Sequence, residues 1–333
     1  MTVNLPDFDE LDVRVGTALQ ANGRASWELI STALKVPVRT VARRGQRLID
    51  TGTVRVSTYL DTTVVGDARP LVIQIGTPPG GAVDVARIVA TRSDASSVSV
   101  LESGSEVICL LTPRTASERE RLVVEYLPGI ERVSSVRVGT VLKFFRSGFD
   151  WTALPLPQDV VQLLRDQDAR GGKRTPTHVT LSDGDEELIA VLAEDGRATV
   201  TEVAERLSIS PPTVKRRLDS LLDAGALHVR TEISPILHGL RVEALTWLEV
   251  SPDRVERVGA VLGGHPSVRF CAVCTGTTQL LVDCVVADEH ALYRFLTEDV
   301  GSLGVTSSQT SVVLIPVQRG PMLVTDLEKK SDL

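Results

Sequence analysis

A long internal repeat restricts this 333-residue chain more than any other feature. Residues 9–56 lie over 182–229 without a gap, at an offset of 173 positions. Asp12 meets Asp185, Leu19 meets Leu192, and Gly23-Arg24-Ala25 meets Gly196-Arg197-Ala198. Further on, Thr40-Val41 meets Thr213-Val214, Arg43-Arg44 meets Arg216-Arg217, and Leu48, Asp50 and Gly52 meet Leu221, Asp223 and Gly225. That period is far longer than solenoid repeats, so a doubled two-domain unit is expected rather than an array. Later segments correspond with small gaps: 99–111 with 271–283, around Gly104 and Gly276, and 132–142 with 304–314. Between the halves, 147–180 carries three prolines, the Gly171-Gly172 pair and the basic run GGKRTP. It reads as a linker around a short helix at 158–168.

The first 50 residues of each copy have the pattern of three short helices. Leu11, Val15, Ala18 and Leu19 share one helical face, as do Leu188, Val191 and Leu192. A polar turn follows, then a helix at 26–33 or 199–206, then a tight break at 35–37 or 208–210. The third helix is expected at 38–50 and 211–223, stopped by Gly52 and Gly225. Three helices with a sharp turn before the last describe a helix-turn-helix. In the second copy Ser210 can cap that helix and Pro211 starts it, with Val214, Leu218, Leu221 and Leu222 inward. Pro212, Thr213, Lys215, Arg216 and Asp219 then face outward, with Arg217 at the edge. In the first copy the stripe is Val41, Leu48 and Ile49, with Gly45 in place of Leu218. Its outward set includes Arg39, Arg43, Gln46 and Arg47, next to Arg44.

The chain carries a net charge of −7, so it is no general nucleic-acid coat. Charge is local, however. Residues 34–55 hold six basic side chains against Asp50, a net +5, and 207–230 hold four against Asp219 and Asp223, a net +2. Cations serve phosphates, and a helix whose first turns reach base edges supplies specificity. Arg39, Arg43, Arg44, Arg47, Pro212, Thr213, Lys215, Arg216 and Arg217 are therefore the candidate contacts to double-stranded DNA. Across 181–230 acids outnumber bases, ten to six, so the two heads are expected to differ in affinity.

After each head a bridging strand is expected, near 53–59 and 226–233, followed by a βαββαβ order. In the first copy this runs as strand 69–76, helix 80–92, strands 96–102 and 105–111, helix 116–126 and strand 132–144. In the second it runs as strand 241–250, helix 253–263, strands 267–275 and 278–287, helix 288–299 and strand 304–316. That order is ferredoxin-like. Strands such as LLVDCVVA and TSVVLIPV are apolar on both faces, which suits burial between two sheets. The expected fold class is thus α+β, with two winged or helix-turn-helix domains (1–60 and 181–234) and two ferredoxin-like domains (61–146 and 235–322) in tandem. Residues 147–180 form the linker and 323–333 a tail.

In these segments the sequence resembles the Lrp/AsnC (leucine-responsive, feast/famine) transcription regulators, twice over. The resemblance rests on Asp195-Gly196-Arg197, on SISPPTVKRRLDSLLDAGAL at 208–227 and on its weaker counterpart KVPVRTVARRGQRLIDTGTV at 35–54. It also rests on HPSVRF at 265–270, the Thr275-Gly276 turn and ALYRFLTEDV at 291–300. It implies a DNA-binding regulator with ligand-binding domains of RAM type, modulated by an amino acid or related small effector bound where those domains meet. It also implies self-association into a dimer or higher oligomer, and this chain resembles a fused dimer. The family often places an acidic residue three positions after the glycine turn. Here Gln279 and Val107 stand there, with Glu106 adjacent, which removes a charge-assisted bond to an effector ammonium. The candidate effector residues are Gly276, Thr277, Gln279, Thr310, Gly104 and Glu106.

Other chemistry is weakly represented. Cys271-Ala-Val-Cys274 has zinc-like spacing, but no second pair completes a site, and in a strand the two thiols would point to opposite faces. Core cysteines are the better reading, and no metal or cofactor is expected. There is no phosphate loop or serine elbow, so an enzyme is not expected. The alternative is a siroheme decarboxylase-like enzyme, since such enzymes resemble the same architecture. Arg241 and His238 would be its first candidates, but the LRVEALTWLEV neighbourhood lacks the tyrosine- and asparagine-rich pattern associated with them. With no apolar run long enough to span a membrane and no signal-like start, a cytoplasmic protein without membrane contact is expected.

Overall fold

A computed structural model describes residues 8–65, 69–148, 151–152, 156–166, 179–276, 278–320 and 322–324. The GGKRTP run of the expected linker and all but the start of the expected tail lie outside the described residues. The chain divides into two compact units, each drawing on both halves: Met1–Asp61 with Leu154–His238, and Thr62–Ala153 with Gly239–Leu333. Among the described residues no helix is long and apolar enough to cross a membrane.

The first unit holds both three-helix heads. Head one comprises α1 (Glu10–Ala21), α2 (Trp27–Leu34) and α3 (Val38–Asp50), followed by β1 (Val54–Leu60). Head two repeats this order after an intervening helix, α4 (Gln158–Asp166), with α5 (Asp183–Glu194), α6 (Val200–Leu207), α7 (Pro211–Asp223) and β2 (Leu227–Ile233). Local chemistry sets the helix starts. Asp9 and Asp12 cap α1 reciprocally through their backbone N–H groups, at 3.0 and 3.1 Å. Thr199 and Glu202 do the same for α6, while Ser26 accepts from the Leu29 N–H. Such caps satisfy N–H groups that have no partner inside the helix. Equivalent residues form the two cores: Val15, Ala18 and Leu19 in one head are matched by Leu188, Val191 and Leu192 in the other.

One exchange of volume distinguishes the heads. A Cβ built on Gly45 would collide with the Trp27 ring, so that ring fills the space that Leu218 fills in head two. The position equivalent to Trp27 is Val200. A large-small pair has replaced a small-large pair at constant volume, the change cores tolerate best. Gly45→Leu is expected to destabilise the protein by about 2 kcal/mol through overpacking. Trp27→Val combined with Gly45→Leu should recover most of that loss. Thermal melts of the two single variants and the double variant, read as a double-mutant cycle, check this coupling.

β1 and β2 join the heads. They pair antiparallel with Val54 opposite Ile233, Ser57 opposite Arg230 and Leu60 opposite Leu227. Ser57 and Arg230 are equivalent positions of the repeat, so a local twofold axis runs between them. Reciprocal bonds flank the ladder: Arg24 Nη2 donates to the Ala198 carbonyl and Arg197 Nη2 to the Ala25 carbonyl, both at 3.0 Å. Gly196 sits against the opposite strand so closely that a Cβ would lie 2.7 Å from the Ser57 backbone nitrogen. α4 breaks the symmetry. Its Leu164 is fully buried in the head-one core, and the Asn22 side-chain amide donates to the Leu164 carbonyl at 2.8 Å.

The second unit contains two βαββαβ sets. The first is β3 (Leu71–Gly76), α8 (Ala82–Ala90), β4 (Ala95–Leu101), β5 (Glu106–Leu111), α9 (Ala116–Arg121) and β6 (Ser135–Arg146). The second is β7 (Val242–Glu249), α10 (Val255–Gly264), β8 (Val268–Cys274), β9 (Leu280–Val286), α11 (Glu289–Arg294) and β10 (Ser307–Arg319). Each set forms a four-stranded antiparallel sheet, in the orders β4-β5-β3-β6 and β8-β9-β7-β10. The last strand of each set is long enough to serve both sheets. β6 pairs with β3 up to Thr140 and with β8 from Val141 onward. β10 pairs with β7 up to Val312 and with β4 from Val313 onward. The eight strands thereby close a cyclic ladder. Phe145, on β6, packs on α10 where Gly259 and Gly263 leave room.

Both second helices widen into a π turn, at Leu122–Tyr126 and Phe295–Val300, where continuous α-helix was expected. The reason is the spacing of the buried side chains. Leu122 with Leu127, and Phe295 with Val300, are five residues apart and all buried, and only an i→i+5 turn holds that spacing on one face. Cys271 packs under the helices and Cys274 between the sheets, as strand alternation predicts. Burial pushes both thiols up to about 12.

One charged group breaks the apolar character of the second sheet. Glu243 on β7 bonds Arg269 at 3.1 Å and also Arg319, with Asp283 on β9 beside them. Burial, and then the Glu243 charge, push the Asp283 carboxyl up to about 7 against the pull of Arg269 and Arg319. A carboxyl whose folded value is raised stabilises the fold relatively best below its unfolded value near 4, and that contribution is lost as pH rises through about 7. Asp283→Asn is therefore expected to be the more stable protein at pH 8, with about 4 kcal/mol as the ceiling, and the gap should close toward pH 4. Urea unfolding across that range checks it.

Candidate nucleic-acid interface

The outer faces of α3 and α7 carry the residues that the sequence marks for DNA contact, except Arg44 and Arg217. Each helix follows a tight break whose first residue adopts a left-handed conformation, Lys35 (φ 56°) and Ser208 (φ 54°). Each is 13 residues long and stops at a left-handed glycine, Gly52 and Gly225, both with φ 70°. α3 buries Val41, Gly45 and Leu48, and α7 buries Val214, Leu218 and Leu221. Ile49 and Leu222, expected inward, are half-buried. Ser210 accepts the Thr213 N–H at the start of α7, whereas Pro37 gives α3 no side-chain cap.

Among the candidates in head one, Arg39, Arg43 and Arg47 are exposed and Arg44 is half-buried. Arg44 reaches back to α1, at 2.7 Å from Asp9 and 2.8 Å from Asp12. These carboxylates, Asp12 foremost, raise its affinity for its proton further. Arg47 bonds the other oxygen of Asp12 at 2.5 Å. Asp12 is 1% exposed, so Arg44 works as an internal clamp between α1 and α3 and Arg47 shares its charge with that clamp. Among the described residues, the freely presented cations of α3 are Arg39 and Arg43. In head two Pro212, Lys215 and Arg216 are exposed, with Thr213 half-buried. Lys215 pairs with Asp219 at 2.7 Å. Arg217, equivalent to Arg44, is half-buried, and its guanidinium packs directly over Gly184, leaving no room for a Cβ there. It too is turned toward the first helix of its head.

Sequence reasoning assigns no role to Arg24 and Arg197 beyond their place in matched polar turns and, for Arg197, in a segment that carries the family resemblance. Arg197 stacks on the Trp27 ring at 4.5 Å. Burial, and then the like charge of Arg24, lower its proton affinity. The matched Gly-Arg-Ala triplets were the available signal, but nothing local shows that their partners lie in the other half.

The effector candidates are dispersed. Gly104 (φ 68°) and Gly276 (φ 127°) occupy turns between strands. Glu106 pairs with Arg137 at 3.1 Å, the Gln279 side chain accepts the Val250 N–H at 2.9 Å, and the Thr310 and Thr246 hydroxyls are 3.1 Å apart. Thr277 lies outside the described residues. A cleft of about 370 Å³ beside Gly276 in the chain is lined by Arg119, Glu120, Val124, Thr140 and Thr275 among others, and by none of the six. Arg119 donates to the Thr140 hydroxyl there at 2.7 Å. Of the enzyme candidates, His238 is half-buried, with no hydrogen-bond partner at either ring nitrogen among the described residues, and Arg241 is exposed.

Comparison with known proteins adds two family matches in the second half. The Lrp/AsnC ligand binding domain matches residues 243–323, and the AsnC-type helix-turn-helix domain matches 181–222. An HTH-type transcriptional regulator of Mycobacterium tuberculosis is 32% identical over 139 residues, covering 40% of this chain and 92% of that protein. An uncharacterised HTH-type transcriptional regulator of Pyrococcus horikoshii is 27% identical over 137 residues, covering 40% of this chain and 87% of that one. Among solved structures, the siroheme decarboxylase NirDL shares the fold over 96% of this chain and 97% of its own, with a TM-score of 0.63 at 12% identity.

Proposed function

The chain belongs to the Lrp/AsnC family of DNA-binding transcription regulators, and from that premise we propose that it is a dimer of that family condensed into one polypeptide. Its two heads would read two half-sites as a fixed pair. One observation carries this reading: the β1–β2 ladder pairs equivalent residues of the two copies about Ser57 and Arg230, as the heads of a symmetric dimer would. In head one the contacts are Arg39 and Arg43, with Arg47 at the margin; in head two they are Pro212, Thr213, Lys215 and Arg216. Arg44 and Arg217 orient their helices from behind. Because the ladder fixes the spacing of the heads, the half-sites would lie about one helical turn apart.

A small effector would bind in the ferredoxin-like unit beside the Gly276 turn, where Arg119 offers a cation for a carboxylate. Further self-association would proceed through that unit. The whole-length likeness to NirDL speaks for the fold alone, and the cationic reading helices favour a regulator without catalytic activity. The test is fluorescence anisotropy on genomic duplexes across a salt series. A steep fall of affinity with salt is the expected result. Absence of binding at low salt, together with tight binding and turnover of a tetrapyrrole, would replace this reading by the enzyme.

A further inference from the structure

We infer that this chain recognises a non-palindromic, directional operator made of two different half-sites. The inference rests on the proposed DNA reading and adds what that reading leaves open. The backbones of the two reading helices are alike: 13 residues each, the same left-handed break before them and the same glycine stop after them. The β1–β2 ladder and the reciprocal Arg24 and Arg197 bonds relate them by a local twofold axis. Geometry therefore presents both helices in the same way.

The side chains presented are not the same. At equivalent outward positions Arg39 corresponds to Pro212, Ala42 to Lys215, Gln46 to Asp219 and Arg47 to Ser220, whereas Thr40/Thr213, Arg43/Arg216 and, at the far end, Asp50/Asp223 agree. Head one opens its helix with an exposed guanidinium, which pairs with the O6 and N7 acceptors of guanine. Head two opens with exposed Pro211 and Pro212, surfaces suited to the methyl group of thymine. Its Asp219 holds Lys215 at 2.7 Å, whereas Gln46 at the matching place of head one bonds Asp50 at 2.8 Å. A dimer of identical chains must read the same bases twice. A fused chain carries no such constraint, and here the two reading surfaces have diverged while the frame between them has stayed symmetric.

The experiment is selection of bound duplexes from a randomised library by the full-length chain at one stated salt concentration, repeated with Pro212→Arg/Lys215→Ala/Asp219→Gln. These three positions lie on the outer face of α7, and the variant gives head two the head-one side chains there. The native chain should enrich two unlike half-sites in one fixed order, and the variant should shift toward an inverted repeat. Replacing the second half-site by an inverted copy of the first should weaken native binding about tenfold or more. Enrichment of a palindrome by the native chain, or an unchanged motif with the variant, would overturn the inference and leave the DNA reading intact. Enrichment of no sequence at all would bring down the DNA reading itself.

Discussion

Arg39→Ala combined with Arg43→Ala is expected to weaken operator binding about 100-fold or more, and Lys215→Ala with Arg216→Ala to weaken it by a smaller factor. The difference follows from what each head has to spare. Arg39 and Arg43 are exposed, and among the described residues no acid on the outer face of α3 opposes them except Asp50 at its far end, which bonds Gln46. Lys215 is already partly neutralised by Asp219. Removing one cation from a phosphate should also flatten the plot of log affinity against log salt by about 0.9, so the double variants should differ from the native chain by a slope of up to about 2. Anisotropy titrations at several salt concentrations measure both quantities. Arg44→Ala serves as the contrast. It should lower the melting temperature by uncovering buried Asp12, while its direct effect on the salt slope should be small. A slope change as large as that of Arg43→Ala would return Arg44 to the contact surface.

The second large effect is expected at the joint between the heads. In Gly196→Val the new Cβ would stand within 2.8 Å of the Ser57 backbone, which has no flexible end to move aside. Overpacking against a backbone should cost about 3 kcal/mol, the upper part of the usual range. The loss should be concentrated in the ladder, so hydrogen exchange of the β1 and β2 amides should accelerate more than that of the reading helices. Binding to a single half-site should survive, whereas binding to the paired site should fall. Equal acceleration throughout the unit would mean that the heads and their joint unfold as one body.

Much of the heads was legible in the sequence because their determinants are local. The expected limits of the third helices, 38–50 and 211–223, coincide with those in the structure because a proline or serine start and a glycine stop act within a few residues. The βαββαβ order was legible for the same reason, through strand alternation and helical periodicity. Long-range determinants were not. Trp27 and Gly45 compensate each other from different helices, and a helix glycine considered alone suggests only weakness. The connecting helix looks like part of a linker in the sequence, because the burial of Leu164 depends on a surface 142 residues away in the chain. The π turns register as ordinary helix until the five-residue spacing of Leu122 and Leu127 is set against their burial. At the candidate site helical periodicity made the outward set readable, but not what the residues beside it bond. Arg43 and Arg44 are neighbours of one kind; the helical stripe turns Arg43 outward, but that Arg44 is clamped to Asp9 and Asp12 at the start of head one emerges only in three dimensions.

The ladder between Ser57 and Arg230 has a kinetic meaning as well. Two separate subunits must meet before they can read a two-part site, so their activity falls as the square of a shrinking supply and recovers only by collision. Here the partners are tethered, and their encounter is first order at any dilution. If the two heads read a paired site as proposed, occupancy of that site would not depend on a prior bimolecular encounter between them.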